Sequence, residues 1–253
     1  MSRIVPSVQK AIRVLDLIAE RAPATLSLKA ISTELALPKT TALAICVTLT
    51  EGGMIDRVQD GSYRLGPHSV ALASRYLSGS DPVLNLDGAL RVVPELQDQS
   101  MVISILDGTD VVYIACRTGT QAIALQYRVG MRLPSYCASS GKAILSRLPE
   151  QEVVARLGRC DLRIRSSGER KSLDDLLREL RQAREEGYAR DDEEVARGMC
   201  CFGAPICNRS GSPVAAVSVS WVKAAIEESQ RAVYAEAIVR LAKQLSAGRD
   251  SSL

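Results

Sequence analysis

Histidine is nearly absent from this chain of 253 residues, with His68 the only one. Cysteine–histidine catalysis needs an imidazole beside its thiol, and His68 falls in a segment that reads as a connecting helix. The seven cysteines (Cys46, Cys116, Cys137, Cys160, Cys200, Cys201 and Cys207) are odd in number and form no CxxC pair. That pattern fits reduced thiols better than a disulfide framework or a zinc site, so neither metal nor cofactor is expected. No apolar run is long enough to span a bilayer, and Met1-Ser2-Arg3-Ile4-Val5-Pro6 lacks the apolar core of a signal peptide. These absences predict a cytoplasmic protein with no membrane partner. Charge of either sign is not in large excess, at +3 overall. Residues 1–78 hold nine Lys/Arg against six Asp/Glu, which leaves the remainder neutral. Such a balance is compatible with nucleic acid as a partner but does not argue for it. Aromatic residues make up only 4%, which favours a compact pocket for a short aliphatic ligand.

What is present begins with a helical pattern closed by a hairpin. Val8, Ile12, Leu15 and Ile18, then Leu28, Ile31 and Leu35, recur at helical spacing, so two amphipathic helices each have a face to bury. Arg21-Ala22-Pro23-Ala24-Thr25 interrupts them. Leu37-Pro38-Lys39-Thr40-Thr41 suits the first turn of a third helix, which Gly52-Gly53 stops. Met54–Val58 then meets Ser62–Leu65 across Asp60-Gly61, a hairpin dipeptide. Two helices joined by a tight turn and followed by a hairpin read as a winged helix-turn-helix over residues 1–66. Its third helix fits a major groove, with its N-terminal N–H groups toward phosphates. Lys39, Thr40 and Thr41 on that helix, with Arg57 and Arg64 on the wing, are the candidate contacts to double-stranded DNA.

Residues 67–80 read as a linking helix with the stripe Val70, Ala73 and Leu77. The stripe could pair with its twin in a dimer or pack on the wing. From residue 81 to 253 the pattern becomes α/β. A helix is expected through Leu84, Leu86, Leu90, Val93 and Leu96, and strands at Met101–Leu106, Val111–Cys116 and Ile123–Val129. Helices follow at Tyr136–Leu148 and Leu173–Glu186, then a hairpin of Phe202–Ile206 with Val214–Val219, then a closing helix at Ile226–Leu245. Hairpins outnumber crossovers, so the sheet should be mainly antiparallel with helices packed against it. The whole chain is thus α+β in class.

The order of VPSVQKAIRVLDLIAE, LPKTTALAICVTLTEGGMIDR, YRLG, VGMRLPSYCASSGKAILSRL, EEGYARDDEEVARGMCCFGAPI and VAAVSVSW resembles the IclR family of bacterial transcriptional regulators over essentially the entire chain. The resemblance implies an N-terminal winged helix-turn-helix, a linking helix and a GAF-like C-terminal effector domain. It also implies dimers that often pair into tetramers, and control of catabolic operons by a small metabolite, commonly an organic acid. The family's effector contacts fall at Asp191, Cys201, Ser218 and Ser220, with Ser139, Ser140 and Gly141 at a helix start that caps the ligand. Met131, Leu133, Met199 and Phe202 would supply apolar walls. A helix start favours an anion, and Ser218 and Ser220, two apart on a strand, share a face. One departure stands out, because the family's usual recognition-helix arginine falls at Ala44, and a bidentate guanine contact is worth about 1–3 kcal/mol.

Ser139-x-x-Lys142 has serine–lysine acylase spacing but no SDN or KTG element. Gly141-Lys142 is no phosphate loop, since Tyr136 stands where its first glycine belongs. A winged helix used only for protein contacts remains the alternative to a DNA reader.

Overall fold

The computed structural model describes residues 4–78, 86, 88–120 and 126–247. They fall into two compact units, Met1–Ser78 and Gly79–Leu253.

In the first unit α1 (Pro6–Arg21) buries Val14, Leu17 and Ile18. Helix α2 (Leu28–Glu34) is capped by Ser27, whose Oγ accepts from the Ala30 N–H at 3.2 Å, satisfying one orphan donor of the first turn. Helix α3 (Lys39–Glu51) follows after a turn in which Ala36 takes a left-handed φ of 51°. The two helices are bent 118° from one another, within the range of a helix-turn-helix. Pro38 is the N-cap of α3, and no side chain caps it. Thr40 and Thr41 therefore lie inside the first turn and do not cap. Strands β1 (Ile55–Arg57) and β2 (Tyr63–Leu65) pair antiparallel, with Ile55 opposite Leu65. The turn between them is held by Asp60 Oδ1, which accepts from the Ser62 N–H at 2.8 Å, and by Gly61 at φ 82°. Val14, Ile18, Ile31, Ala42, Cys46 and Ile55 form the core of this unit. Helix α4 (His68–Ser78) follows the wing, and its Val70 is 70% exposed.

The second unit is built on a six-stranded sheet in which every pairing is antiparallel. Its strands are β3 (Ser100–Asp107), β4 (Asp110–Arg117), β5 (Arg132–Pro134), β6 (Ala189–Asp192), β7 (Met199–Cys207) and β8 (Pro213–Val222), in spatial order β5-β4-β3-β8-β7-β6. One face packs against α5 (Ser139–Leu145), α6 (Glu150–Leu157) and α7 (Leu173–Glu186) through Val102, Tyr113, Ala143, Leu157, Leu176, Leu180 and Ala216. The other face packs against α8 (Glu228–Ser246), where Phe202 meets Trp221 and Trp221 meets Tyr234 edge to face.

Several boundaries differ from expectation. Of the stretch anticipated as a strand at 123–129, residues 123–125 lie outside the described residues and 126–129 are not strand. The edge strand is β5 instead. The helix anticipated through Leu84–Leu96 is, over 90–96, two short 3₁₀ turns, Leu90–Val92 and Pro94–Leu96, broken at Val93. Pro94 has no N–H to extend the ladder. Leu84 and the Asp81-Pro82 break lie outside the described residues.

Candidate functional site

The helix-facing side of the sheet gathers most of the residues singled out from the sequence. Antiparallel register sets Asp191 opposite Cys201, Cys201 opposite Ser220, and Gly203 opposite Ser218. Alternate residues on a strand share a face, so Met199, Cys201 and Gly203 on β7 lie beside Ser218 and Ser220 on β8. The start of α5 sits directly on this patch. A methyl group at position 203 would lie 2.6 Å from the Ser139 carbonyl and the Ser140 nitrogen, and one at Gly141 would lie 2.3 Å from the Ser135 carbonyl oxygen. Only glycine lets helix and strand approach this closely. Ser139 and Ser140 are thereby brought next to Ser218.

These serines are buried, with Ser139, Ser140 and Ser218 at most 4% exposed. Yet among the described residues none of their three hydroxyls has a hydrogen-bond partner. Each hydroxyl can both donate and accept, so this part of the sheet offers polar groups that a ligand could engage. Ser220 is different, since its Oγ accepts from the Tyr127 hydroxyl at 2.8 Å and keeps its own proton to donate. Tyr127 also lies 3.9 Å from the Cys201 sulfur and meets Tyr113 edge to face at 5.6 Å. Burial holds both phenols, and the Cys201 thiol, protonated.

Asp191 ends the row on β6. Its Oδ1 accepts from the N–H groups of Glu194 (2.8 Å) and Val195 (3.2 Å), which ties down the turn that follows β6. Burial pushes its carboxyl up to about 6, against the opposing pull of Lys142. The turn carries Glu194 into a buried ionic cluster, where Lys142 Nζ is 2.5 Å from Glu194 and 3.1 Å from Glu179. Lys171 reaches the same two carboxylates at 2.5 and 2.8 Å. Despite its burial, the charge of these acids keeps Lys142 protonated. A serine–lysine acylase needs that amine neutral, and Cys201 is a thiol rather than a thiolate. The direction of both shifts thus argues against either covalent reading. Among the described residues no cluster of His, Cys, Asp and Glu is disposed to hold a metal ion, and no single helix is long and apolar enough to cross a membrane.

Phe202, expected as a wall of this site, points to the opposite face, where it packs against Tyr188 and Trp221. Its odd offset from Cys201 and Gly203 dictates this. Met131 and Leu133 do pack into the helix-side core. Sequence reasoning missed Tyr113, Tyr127 and Gly203. For Gly203 a signal existed, a glycine inside an apolar strand.

In the first unit Lys39 and Thr40 are exposed at the start of α3, Thr41 is half-buried, and Arg57 and Arg64 are exposed on the wing. Arg64 lies 3.3 Å from Asp56 across the hairpin. At such exposure the pair contributes little to stability.

A winged helix-turn-helix followed by a sensor unit with a hydroxyl-lined buried site defines a ligand-responsive DNA-binding transcriptional regulator. Comparison with known proteins agrees along the chain. Residues 7–59 match the IclR helix-turn-helix domain, and residues 75–247 match the bacterial transcriptional regulator IclR C-terminal domain. The chain belongs to the IclR family. It is 31% identical over 244 residues to the HTH-type transcriptional regulator XynR of Escherichia coli, covering 96% of each chain. It is 26% identical to the acetate operon repressor of Salmonella typhimurium, covering 96% of this chain and 89% of that one. Among solved structures, the Thermotoga maritima IclR superposes with a TM-score of 0.72 at 28% identity, over 95% of this chain and 99% of that one. The family is one of regulators, not enzymes.

Proposed function

We propose that this protein represses a catabolic operon and releases or tightens its grip on DNA when a small organic acid, or its semialdehyde or hydroxy analogue, occupies the site between α5 and the sheet. The observation that carries the reading is the seating of the buried Ser139 and Ser140 at the start of α5 on the strand face that holds Ser218, Ser220, Cys201 and Asp191. A carboxylate beside Asp191 would be repelled once Asp191 is ionised. The anionic end of the effector therefore faces Ser139, Ser140 and Gly141, and Asp191 accepts from a hydroxyl or hydrated carbonyl at the other end. Met199 and Cys201 line the floor between them. The similarity to an acetate operon repressor supports an acid as effector and repression as the mode.

On the DNA side Lys39, Thr40, Thr41, Arg57 and Arg64 contact an operator of double-stranded DNA in the cytoplasm. One module covers too few base pairs, so a homodimer or homotetramer binds a palindromic site. The exposed stripe beginning at Val70 on α4 suits such pairing.

The test is titration calorimetry with a panel of short hydroxy acids and semialdehydes against the unmutated chain and the double variant Ser218→Ala, Ser220→Ala. Each lost buried hydrogen bond costs about 0.5–1.5 kcal/mol. Effector affinity should therefore fall roughly tenfold or more, with operator affinity unchanged and a modest drop in melting temperature, because Ser220→Ala leaves the buried Tyr127 hydroxyl without its acceptor. Equal affinity in the double variant would place the effector elsewhere.

A further inference from the structure

The outward face of α3 is made of methyl groups. Ala42 and Cys46 point into the core of the unit, and at 100° per residue the opposite side presents Thr40, Ala44, Val47 and Thr48, whose hydroxyl is turned back to the Ala44 carbonyl, with Leu43 on the flank and Glu51 at the C-terminal end. All of these are exposed, with Leu43 at 42% and Val47 at 46%. An aliphatic face of this kind is costly to leave in water, and it lies on the helix that the fold offers to the major groove. The candidate cationic contacts sit off that face, with Lys39 at the first turn of α3 and Arg57 and Arg64 on the hairpin. Guanine is read in the major groove by arginine or lysine and adenine by asparagine or glutamine, whereas an apolar side chain recognises the thymine 5-methyl. The outward face has no amide and no guanidinium.

We infer that this protein reads its operator chiefly through thymine methyl groups, contacted by Thr40, Leu43, Ala44 and Val47, and that each half-site is rich in A·T pairs where α3 lies. The inference rests on the DNA-binding reading above and adds the base chemistry to it.

Duplexes selected from a random library by the full-length chain supply the probe. In the selected duplex each thymine is replaced in turn by uracil, which removes the 5-methyl and leaves every hydrogen-bonding atom in place. Loss of one buried methyl should weaken binding about fourfold at one or more positions in each half-site. Leu43→Ala should abolish the uracil penalty at one position while leaving affinity for an unrelated duplex at the same salt unchanged. Specific binding with no uracil effect at any position would overturn the inference, as would half-sites read at G·C pairs. A fall in oligomer mass for Leu43→Ala together with Val47→Ala, with uracil discrimination intact, would overturn it too and give the face to a second copy of the chain. Failure of the selection to enrich any sequence would overturn both this inference and the DNA-binding reading.

Discussion

Asp191 shows how one residue can be legible in sequence and still change meaning in the fold. It stands in the motif of Gly187-Tyr188 followed by Asp191, Glu193, Glu194 and Gly198, which marks it as a ligand contact by resemblance. The structure adds its burial and its two backbone donors. Burial is the main reason its carboxyl titrates near 6 rather than 3.8; Lys142 opposes the rise and Glu194 adds to it. Between these two values the folded chain holds a proton that the unfolded chain has lost, so this residue's contribution to stability is fully present below pH 3.8 and lost as pH rises through about 6. By linkage the loss amounts to roughly 3 kcal/mol. Asp191→Asn keeps an acceptor for the two N–H groups and cannot ionise. Its melting temperature should match that of the unmutated chain near pH 4 and exceed it by several degrees at pH 7.5. A difference independent of pH would show that burial does not penalise this charge.

At the scale of elements, hairpins were the easiest to read, because Asp107-Gly108-Thr109-Asp110 and Asn208–Ser212 are turn sequences between apolar runs. The edge strand β6 was not legible, since Ala189-Arg190-Asp191-Asp192 is short and charged and becomes a strand only by pairing with β7. Helix α6, with eight residues, also escaped notice. The serines of β8 could be placed on a shared face from spacing alone, whereas Tyr127 meets Ser220 across 93 residues of sequence, a distance no local pattern records. Lys142 looked like a chemical lysine because of its Ser139-x-x-Lys142 spacing, and its actual partners, Glu179 and Glu194, come from other elements. The close seating of α5 on β7 through Gly203 has a direct consequence. In Gly203→Ala the new methyl would press on the α5 backbone at 2.6 Å, a contact that a rigid helix cannot relieve by rotating a side chain. Overpacking of this kind costs about 1–3 kcal/mol, and it displaces Ser139 and Ser140 from Ser218. Thermal denaturation should show a lower melting temperature for the sensor, and calorimetry a weaker effector response, with affinity for operator DNA unaltered. Unchanged melting and unchanged effector binding would mean that α5 does not rest on Gly203.

For the molecule as a whole, each unit closes its own core. Val14, Ile18, Ile31, Cys46 and Ile55 pack together in the first, while Val102, Tyr113, Ile144, Leu157, Leu176 and Ala216 pack together in the second. Every residue proposed for the effector lies in the second unit, and every residue proposed for DNA lies in the first. Such a division lets a sensor be folded and occupied without its reader. Residues 81–253, expressed alone, should therefore be soluble, unfold cooperatively, and bind the effector within about threefold of the full chain's affinity, since that difference is under 1 kcal/mol. The same fragment should not retain the operator duplex at any salt concentration, because the phosphate contacts that make DNA affinity salt-dependent are proposed for residues of the first unit. Calorimetry with the effector and fluorescence anisotropy with labelled duplex measure the two properties on one preparation. An insoluble fragment, or a folded one blind to the effector, would show that the two units share part of the site and that sensing depends on residues before 81.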